Sequence, residues 1–311
     1  MIYLSTLISL LGLAIVLYAN TALAMSQELK LQSFAGKPKQ LQIGEEWSRQ
    51  HLKGQPTTNY HLNRLIQATA KVKTKETTGS AVYLGKYGEQ HLMMTNHHVL
   101  KSDCRGRSVE VYFEALDIKT YCTRVLAKFS HLEATFFVIN VSYRHTDKFE
   151  NLAMEIDFGD ADPGEKLVTA GYGQHLNNHN ALTYEDSKTC VIATPTKSAK
   201  LVSVENRYKA WAFLHACETS SGDSGSVIVS ERTGKIVGLT WATSQNKDTN
   251  MKNSNTVFDW IETQDSRLWE SMSLAVPTKL IMNEIFTSKN QTLLSFVDRN
   301  RSVDSRHVAQ K

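Results

Sequence analysis

The 311-residue chain has little proline, with 5, little cysteine, with 4, and little net charge, at +4. Set against 16 glycines and an apolar content of 41%, so few prolines exclude a disordered chain, and the length can enclose two modest cores. A charge this close to balance gives no electrostatic footprint for nucleic acid or for an anionic membrane. The basic run Lys71-Val-Lys-Thr-Lys75 is short and reads as solvated. The sequence holds no Cys-x-x-Cys spacing, calcium-loop pattern or internal repeat. His175-Leu-Asn-Asn-His179 could offer two ligands on one helical face, but the Gly and Asn residues around it indicate an exposed loop.

Long apolar runs are scarce as well. The run from Leu4 to Ala19 is followed by Ala22-Leu-Ala24, a small-x-small cleavage pattern, so residues 1–24 read as an export signal although the n-region lacks lysine and arginine. A retained anchor is the rival reading of the same run. Four cysteines suit the oxidising compartment that export would reach, and they allow three disulfide connectivities.

What the sequence does contain is a nucleophile and a base. The stretch Glu218-Thr-Ser-Ser-Gly222-Asp-Ser224-Gly-Ser226 is preceded, 126 residues before its serine, by Thr95-Asn-His-His98-Val99. A serine hydroxyl attacks poorly at neutral pH unless an imidazole takes its proton and donors hold the developing oxyanion. Gly222 permits a backbone with φ > 0, so the amides of Gly222 and Ser224 can point at one spot. This serine chemistry requires no metal and no organic cofactor, so none is expected. The sequel, Ser226-Val-Ile-Val-Ser230 and Gly234-Lys-Ile-Val-Gly238-Leu-Thr-Trp241, reads as two strands joined by a polar turn. That order excludes an α/β-hydrolase elbow, where a helix follows the serine.

Thr78-Gly-Ser-Ala-Val82, Thr95-Asn-His-His98-Val99 and Gly222-Asp-Ser-Gly-Ser226 together resemble the trypsin-like (chymotrypsin-fold) serine peptidases, over roughly residues 75 to 287. The likeness is greatest to the bacterial secreted type, the glutamyl-endopeptidase and periplasmic heat-shock protease branches. It implies an all-β fold of two six-stranded antiparallel β-barrels with a C-terminal helix and a catalytic cleft between the barrels. It also implies that His98, directly before Val99, is the base rather than His97, which would point away from the cleft. The acid position of the family is occupied here by glutamate, in Glu133-Ala-Thr-Phe-Phe137, with Asp117 and Asp103 in reserve. Gly222 and Ser224 would form the oxyanion hole. Glu218, six residues before Ser224, holds the offset of the acid that selects lysine or arginine in trypsin-like enzymes, and Thr240-Trp241-Ala242 would pair with the substrate backbone. Where glutamyl endopeptidases carry a pocket histidine this chain has Thr240, which disfavours a glutamate preference. Among the three connectivities, Cys104–Cys122, flanking a hairpin, and Cys190–Cys217, whose Cys-Glu-Thr-Ser-Ser-Gly context resembles some bacterial relatives, are favoured. No Arg-Ile-Val-Gly-Gly-like start is present, so an activating N-terminal amine cannot be assumed for Asp223, which is expected to brace its loop through local hydrogen bonds.

The organisation expected from these readings is a signal at 1–24, a polar extension or propeptide at 25–74, a first barrel at 75–159, a second at 160–275, a helix at 276–288 with Ile281, Met282, Ile285 and Phe286 on one face, and a polar tail at 289–311. Residues 250–271 read as a polar insertion. The expected function is that of a secreted or periplasmic serine endopeptidase, a monomer whose partner is a peptide or protein substrate, with no nucleic acid and no stable membrane association once the signal is cleaved. Two alternatives are a catalytically inactive peptide-binding module of the same fold and a serine esterase.

Overall fold

The computed structural model describes residues 28–31, 41–52, 57–174, 181–204, 208–243, 249–288, 290–296 and 298. The signal reading of residues 1–24 and the His175–His179 pair lie outside them.

Ahead of the first barrel come β1 (Leu29–Leu31), β2 (Gln50–His51) and α1 (Tyr60–Ala68). Helix α1 starts where the Asn59 side chain accepts the Leu62 amide, and it buries Leu62, Leu65 and Ile66, an i, i+3, i+4 face. It runs straight into β3 (Thr69–Lys73), followed by β4 (Thr78–Tyr87), β5 (Gln90–Thr95), β6 (Glu110–Phe113), β7 (Ile118–Phe129) and β8 (Ala134–Ile139). These six strands close into an antiparallel barrel in the order β3-β4-β5-β8-β7-β6. The basic run at Lys71 is therefore a barrel strand: Ala70 and Val72 are buried and Lys73 is exposed, the period of two that a strand requires. Tyr83, Leu92, Met93, Met94, Phe113, Phe136 and Phe137 on these strands are fully buried, with consecutive residues on opposite faces of the barrel wall, and burial of each such side chain contributes roughly 1.5–3 kcal/mol.

The second half contains β9 (Leu167–Gly171), β10 (Thr183–Glu185), β11 (Lys200–Val204), β12 (Tyr208–His215), β13 (Val227–Ser230), β14 (Ile236–Ala242) and β15 (Ser273–Pro277). With β1 and β2 recruited from the N-terminal segment they make a nine-stranded sheet, β1-β11-β12-β15-β14-β13-β9-β10-β2. The bridges Lys166↔Val191 and Ile192↔His215 join β9 to β12 through residues 191–192. Five strands and this segment thereby run round a second closed circuit, and the mostly β architecture expected from the sequence is present.

The region read as a polar insertion carries two helices, α2 (Ser254–Thr263), which buries Val257, Trp260 and Ile261, and the short α3 (Leu268–Ser271). After β15, α4 (Thr278–Thr287) follows Pro277 and buries Ile281, Met282 and Ile285, as the sequence pattern predicts.

Candidate active site

Ser224 lies three residues before β13, on the loop that links the end of β12 to that strand. Gly222 and Gly225 hold φ of +103° and +87°, conformations that an L residue adopts only at a cost. Space closes the case at both: a Cβ would overlap the Tyr172 carbonyl oxygen at Gly222 and the Ser80 carbonyl oxygen at Gly225. Ser80, on β4 of the first barrel, ties the loop down. Its amide donates to the Ser224 carbonyl at 2.8 Å and its hydroxyl donates to the Gly222 carbonyl at 3.0 Å. The same hydroxyl accepts the Tyr172 amide at 2.9 Å. Among the described residues, neither the Gly222 nor the Ser224 amide donates a hydrogen bond within the chain, so both are available to an anionic oxygen.

His98 follows the end of β5, and Glu133 sits between β7 and β8, two strands that flank one another in the barrel. One carboxylate oxygen of Glu133 lies 2.9 Å from Nδ1 of His98 and accepts the His98 backbone amide at 3.0 Å. The pair is sheltered, with the His98 side chain 16% and that of Glu133 5% exposed. Glu133 adopts a left-handed backbone, φ +46°, and its carbonyl accepts the His97 amide at 3.0 Å and the Asn96 side chain at 2.9 Å. The histidine loop is thus fixed by three consecutive residues to one glutamate. A carboxylate on Nδ1 leaves Nε2 to exchange a proton and stabilises the imidazolium when it forms. The reserve acids are engaged elsewhere: Asp103 pairs with Lys128 at 2.7 Å, and Asp117 accepts the Tyr112 hydroxyl.

His98 and Ser224 line one cavity of about 200 Å³, together with Val204, Tyr208, Ser220, Ser221, Trp241, Ala242 and Thr243. The Tyr208 ring stands 5.1 Å from the His98 ring, a neighbour that no sequence motif announces. Trp241 reaches the cavity because β14 slips register against β15: Thr240 faces Ala275 and Ala242 faces Leu274, which leaves Trp241 as the extra residue of a bulge. His97 lines a different groove with Lys101, His131 and Trp211, and burial lowers its pKa.

Two residues expected at the substrate do not line this cavity. Thr240 is buried in the sheet, where its amide donates to Ser226 and its carbonyl accepts from Gly225. Glu218 is fully buried, and its carboxylate accepts the amides of Ile43 at 3.1 Å and Ser48 at 2.9 Å. Burial raises its pKa. Disulfides join Cys104 to Cys122 and Cys190 to Cys217, the second immediately ahead of Glu218 and the loop that carries Ser224. Among the described residues no group of three or more His, Cys, Asp or Glu side chains is placed to hold a metal ion, and no helix is long and apolar enough to cross a membrane.

The family model for the trypsin-like peptidase domain matches residues 79–239, from the glycine beside Ser80 to the middle of β14. No curated protein matches the chain. Solved structures similar to it include Rv3671c from M. tuberculosis in an inactive form, with a TM-score of 0.47, 13% identity and coverage of 75% of this chain and 94% of that one. The HtrA-type protease AlgW, solved with a decapeptide, has a TM-score of 0.46, 14% identity and coverage of 75% and 68%.

Proposed function

The chain belongs to the trypsin-like peptidase domain family, and from that premise we propose that it is a serine endopeptidase working through Ser224, His98 and Glu133. The observation that carries this reading is the Glu133 carboxylate 2.9 Å from Nδ1 of His98, with His98 and Ser224 on the walls of one cavity. In the proposed reaction His98 Nε2 takes the hydroxyl proton as Ser224 Oγ attacks the scissile carbonyl. The oxyanion is held by the Gly222 and Ser224 amides. On collapse the C–N bond breaks, the leaving amine takes the proton from His98, and water then hydrolyses the acyl-enzyme by the same route.

Glu218 does not direct cleavage to lysine or arginine in this reading, since its carboxylate is taken by two backbone amides. The uncharged residues around Ser224, among them Ser220, Ser221 and Trp241, favour a neutral side chain instead. Two disulfides support export to an oxidising compartment. A fluorophosphonate probe should label Ser224 and the protein should digest casein, with both lost in Ser224→Ala. Labelling without digestion of any protein substrate would leave an esterase, and a folded protein that takes no label would be an inactive binding module.

A further inference from the structure

The ion pair Arg49–Asp223 is closed to solvent, with side chains 1% and 0% exposed. Arg49 has five N–H donors, and all five are used. Two reach the Asp223 carboxylate, at 3.1 and 3.2 Å. One reaches the Glu218 carbonyl at 2.8 Å, and two reach Thr183, at its hydroxyl and its carbonyl. Asp223 also accepts the amides of Ser220 and Gly173, at 2.8 and 3.0 Å. It sits between Gly222 and Ser224, the two residues whose amides face the reacting oxygen in the proposed mechanism.

The cation comes from far away in sequence, 174 residues before its partner, and from outside the residues 79–239 that match the family model. The segment that delivers it is built into the second half of the fold. Leu41 donates to the Thr219 carbonyl at 2.7 Å, and Leu52 donates to the Leu182 carbonyl at 3.2 Å. Glu218 gathers the Ile43 and Ser48 amides, β2 pairs with β10, and Leu41 and Ile43 are buried in the core. A buried carboxylate that loses its partner cannot stay where it is without cost, and the relief open to it is to turn toward water. Because Asp223 is flanked by both oxyanion donors, such a turn would carry their amides off target.

We propose that residues 41–52 are a permanent part of the catalytic unit, in which Arg49 is a positioning residue that holds Asp223, and through it the Gly222 and Ser224 amides, in their working geometry. Any N-terminal trimming then stops upstream of Leu41, and the longer propeptide reading of residues 25–74 does not hold for the active protein. This inference rests on the serine peptidase reading above.

The test uses the full chain, with the fluorophosphonate labelling rate at Ser224 and turnover of p-nitrophenyl acetate as readouts. Arg49→Met should slow labelling and lower kcat by roughly 100-fold, the effect of losing an oxyanion donor, with KM little changed. Arg49→Lys, which keeps the charge and loses the fork, should recover part of the rate. Arg49→Met that folds, by its circular dichroism and unfolding curve, and labels at the native rate overturns the proposal while leaving the peptidase reading intact. A native protein that takes no label at Ser224 overturns that reading and this inference with it. Should Arg49→Met not fold, N-terminal sequencing of native protein captured through the fluorophosphonate decides the matter. Captured chains that all retain residues 41–52 support the proposal, and captured chains that begin after Arg49 sink it.

Discussion

Replacing Glu133 by glutamine removes a charge while keeping nearly the same shape, and the structure sets the size of the effect. The carboxylate oxygen is 2.9 Å from Nδ1 of His98, so the charge centres of a glutamate–imidazolium pair lie about 4 Å apart. At an effective dielectric of about 20, the attraction between unit charges at that separation is about 4 kcal/mol. In the proposed mechanism the imidazolium forms only as the serine gives up its proton, so this attraction acts on the barrier and is equivalent to about three decades in rate. Glu133→Gln should therefore lower kcat on an ester or peptide substrate by roughly 10³-fold with little change in KM. Glu133→Asp keeps the charge but withdraws it by one methylene, and it should fall between native and Gln. The assay is steady-state kinetics with a full pH–rate profile of each variant, alongside thermal unfolding, because Glu133 also accepts the His98 amide. A folded Glu133→Gln protein with native kcat and an unchanged pH profile would refute the reasoning and remove Glu133 from the mechanism.

Three further outcomes follow from the same structure. Opening the Cys190–Cys217 bridge, which closes a loop of 27 residues, in a Cys190→Ala/Cys217→Ala protein should cost about 3–4 kcal/mol of stability in urea unfolding. A loss below about 1 kcal/mol would show that the loop is held without it. Ser80→Ala removes the hydroxyl that donates to the Gly222 carbonyl and accepts the Tyr172 amide, so fluorophosphonate labelling of Ser224 should slow by about 10-fold, the value of roughly one hydrogen bond. An unchanged rate would mean that the loop keeps its shape unaided. Glu185 has its pKa pushed up from 4.5 to about 7, first by burial and then by the charge of Glu218. The folded protein therefore binds this proton more tightly than the unfolded chain, and stability is lost as pH rises from about 4.5 to about 7, by about 3 kcal/mol in all. Glu185→Gln should flatten that part of the urea-midpoint curve, and an identical slope in both proteins would contradict the assignment.

Local patterns made much of this legible. Gly222-Asp-Ser-Gly-Ser226 and the strands after it placed Ser224 on a loop entering a hairpin, because the glycines and the period-two runs are tied to one backbone path. The buried face of α4 was readable from Ile281, Met282 and Ile285 for the same reason. Two elements were missed although their signals were present. Leu62, Leu65 and Ile66 behind Asn59 have helical spacing, and Lys71-Val-Lys alternates as a strand does, but both lie in stretches whose overall polarity suggested solvent. Other features left no local trace. Glu218 has the right offset from Ser224 for a pocket acid, yet its surroundings are set by Ile43 and Ser48, some 170 residues away. Spacing along the chain cannot say which distant backbone will occupy a carboxylate. Arg49 is illegible for the same reason, since nothing near it in sequence hints at Asp223.

The loop carrying Ser224 has its supports on three sides, and they come from three parts of the chain. Ser80 reaches it from the first barrel, Cys190 tethers its entry within the second, and Arg49 grips its middle from the N-terminal segment. Oxyanion donors act on the barrier only if they already point at the place where charge will develop, because reorganising them during the reaction spends the stabilisation they would give. Short loops rich in glycine do not hold such a geometry by themselves, since the conformational freedom that lets Gly222 and Gly225 adopt positive φ also lets them leave it. In the proposed mechanism the supports are what turn permissive residues into fixed donors. Ser80 holds the carbonyls at both ends of the Gly222–Ser224 stretch and Arg49 holds Asp223 between them, so removing the Ser80 hydroxyl and the Arg49 guanidinium together should slow labelling of Ser224 by more than the product of the single effects if they restrain one motion, and by that product if they restrain two.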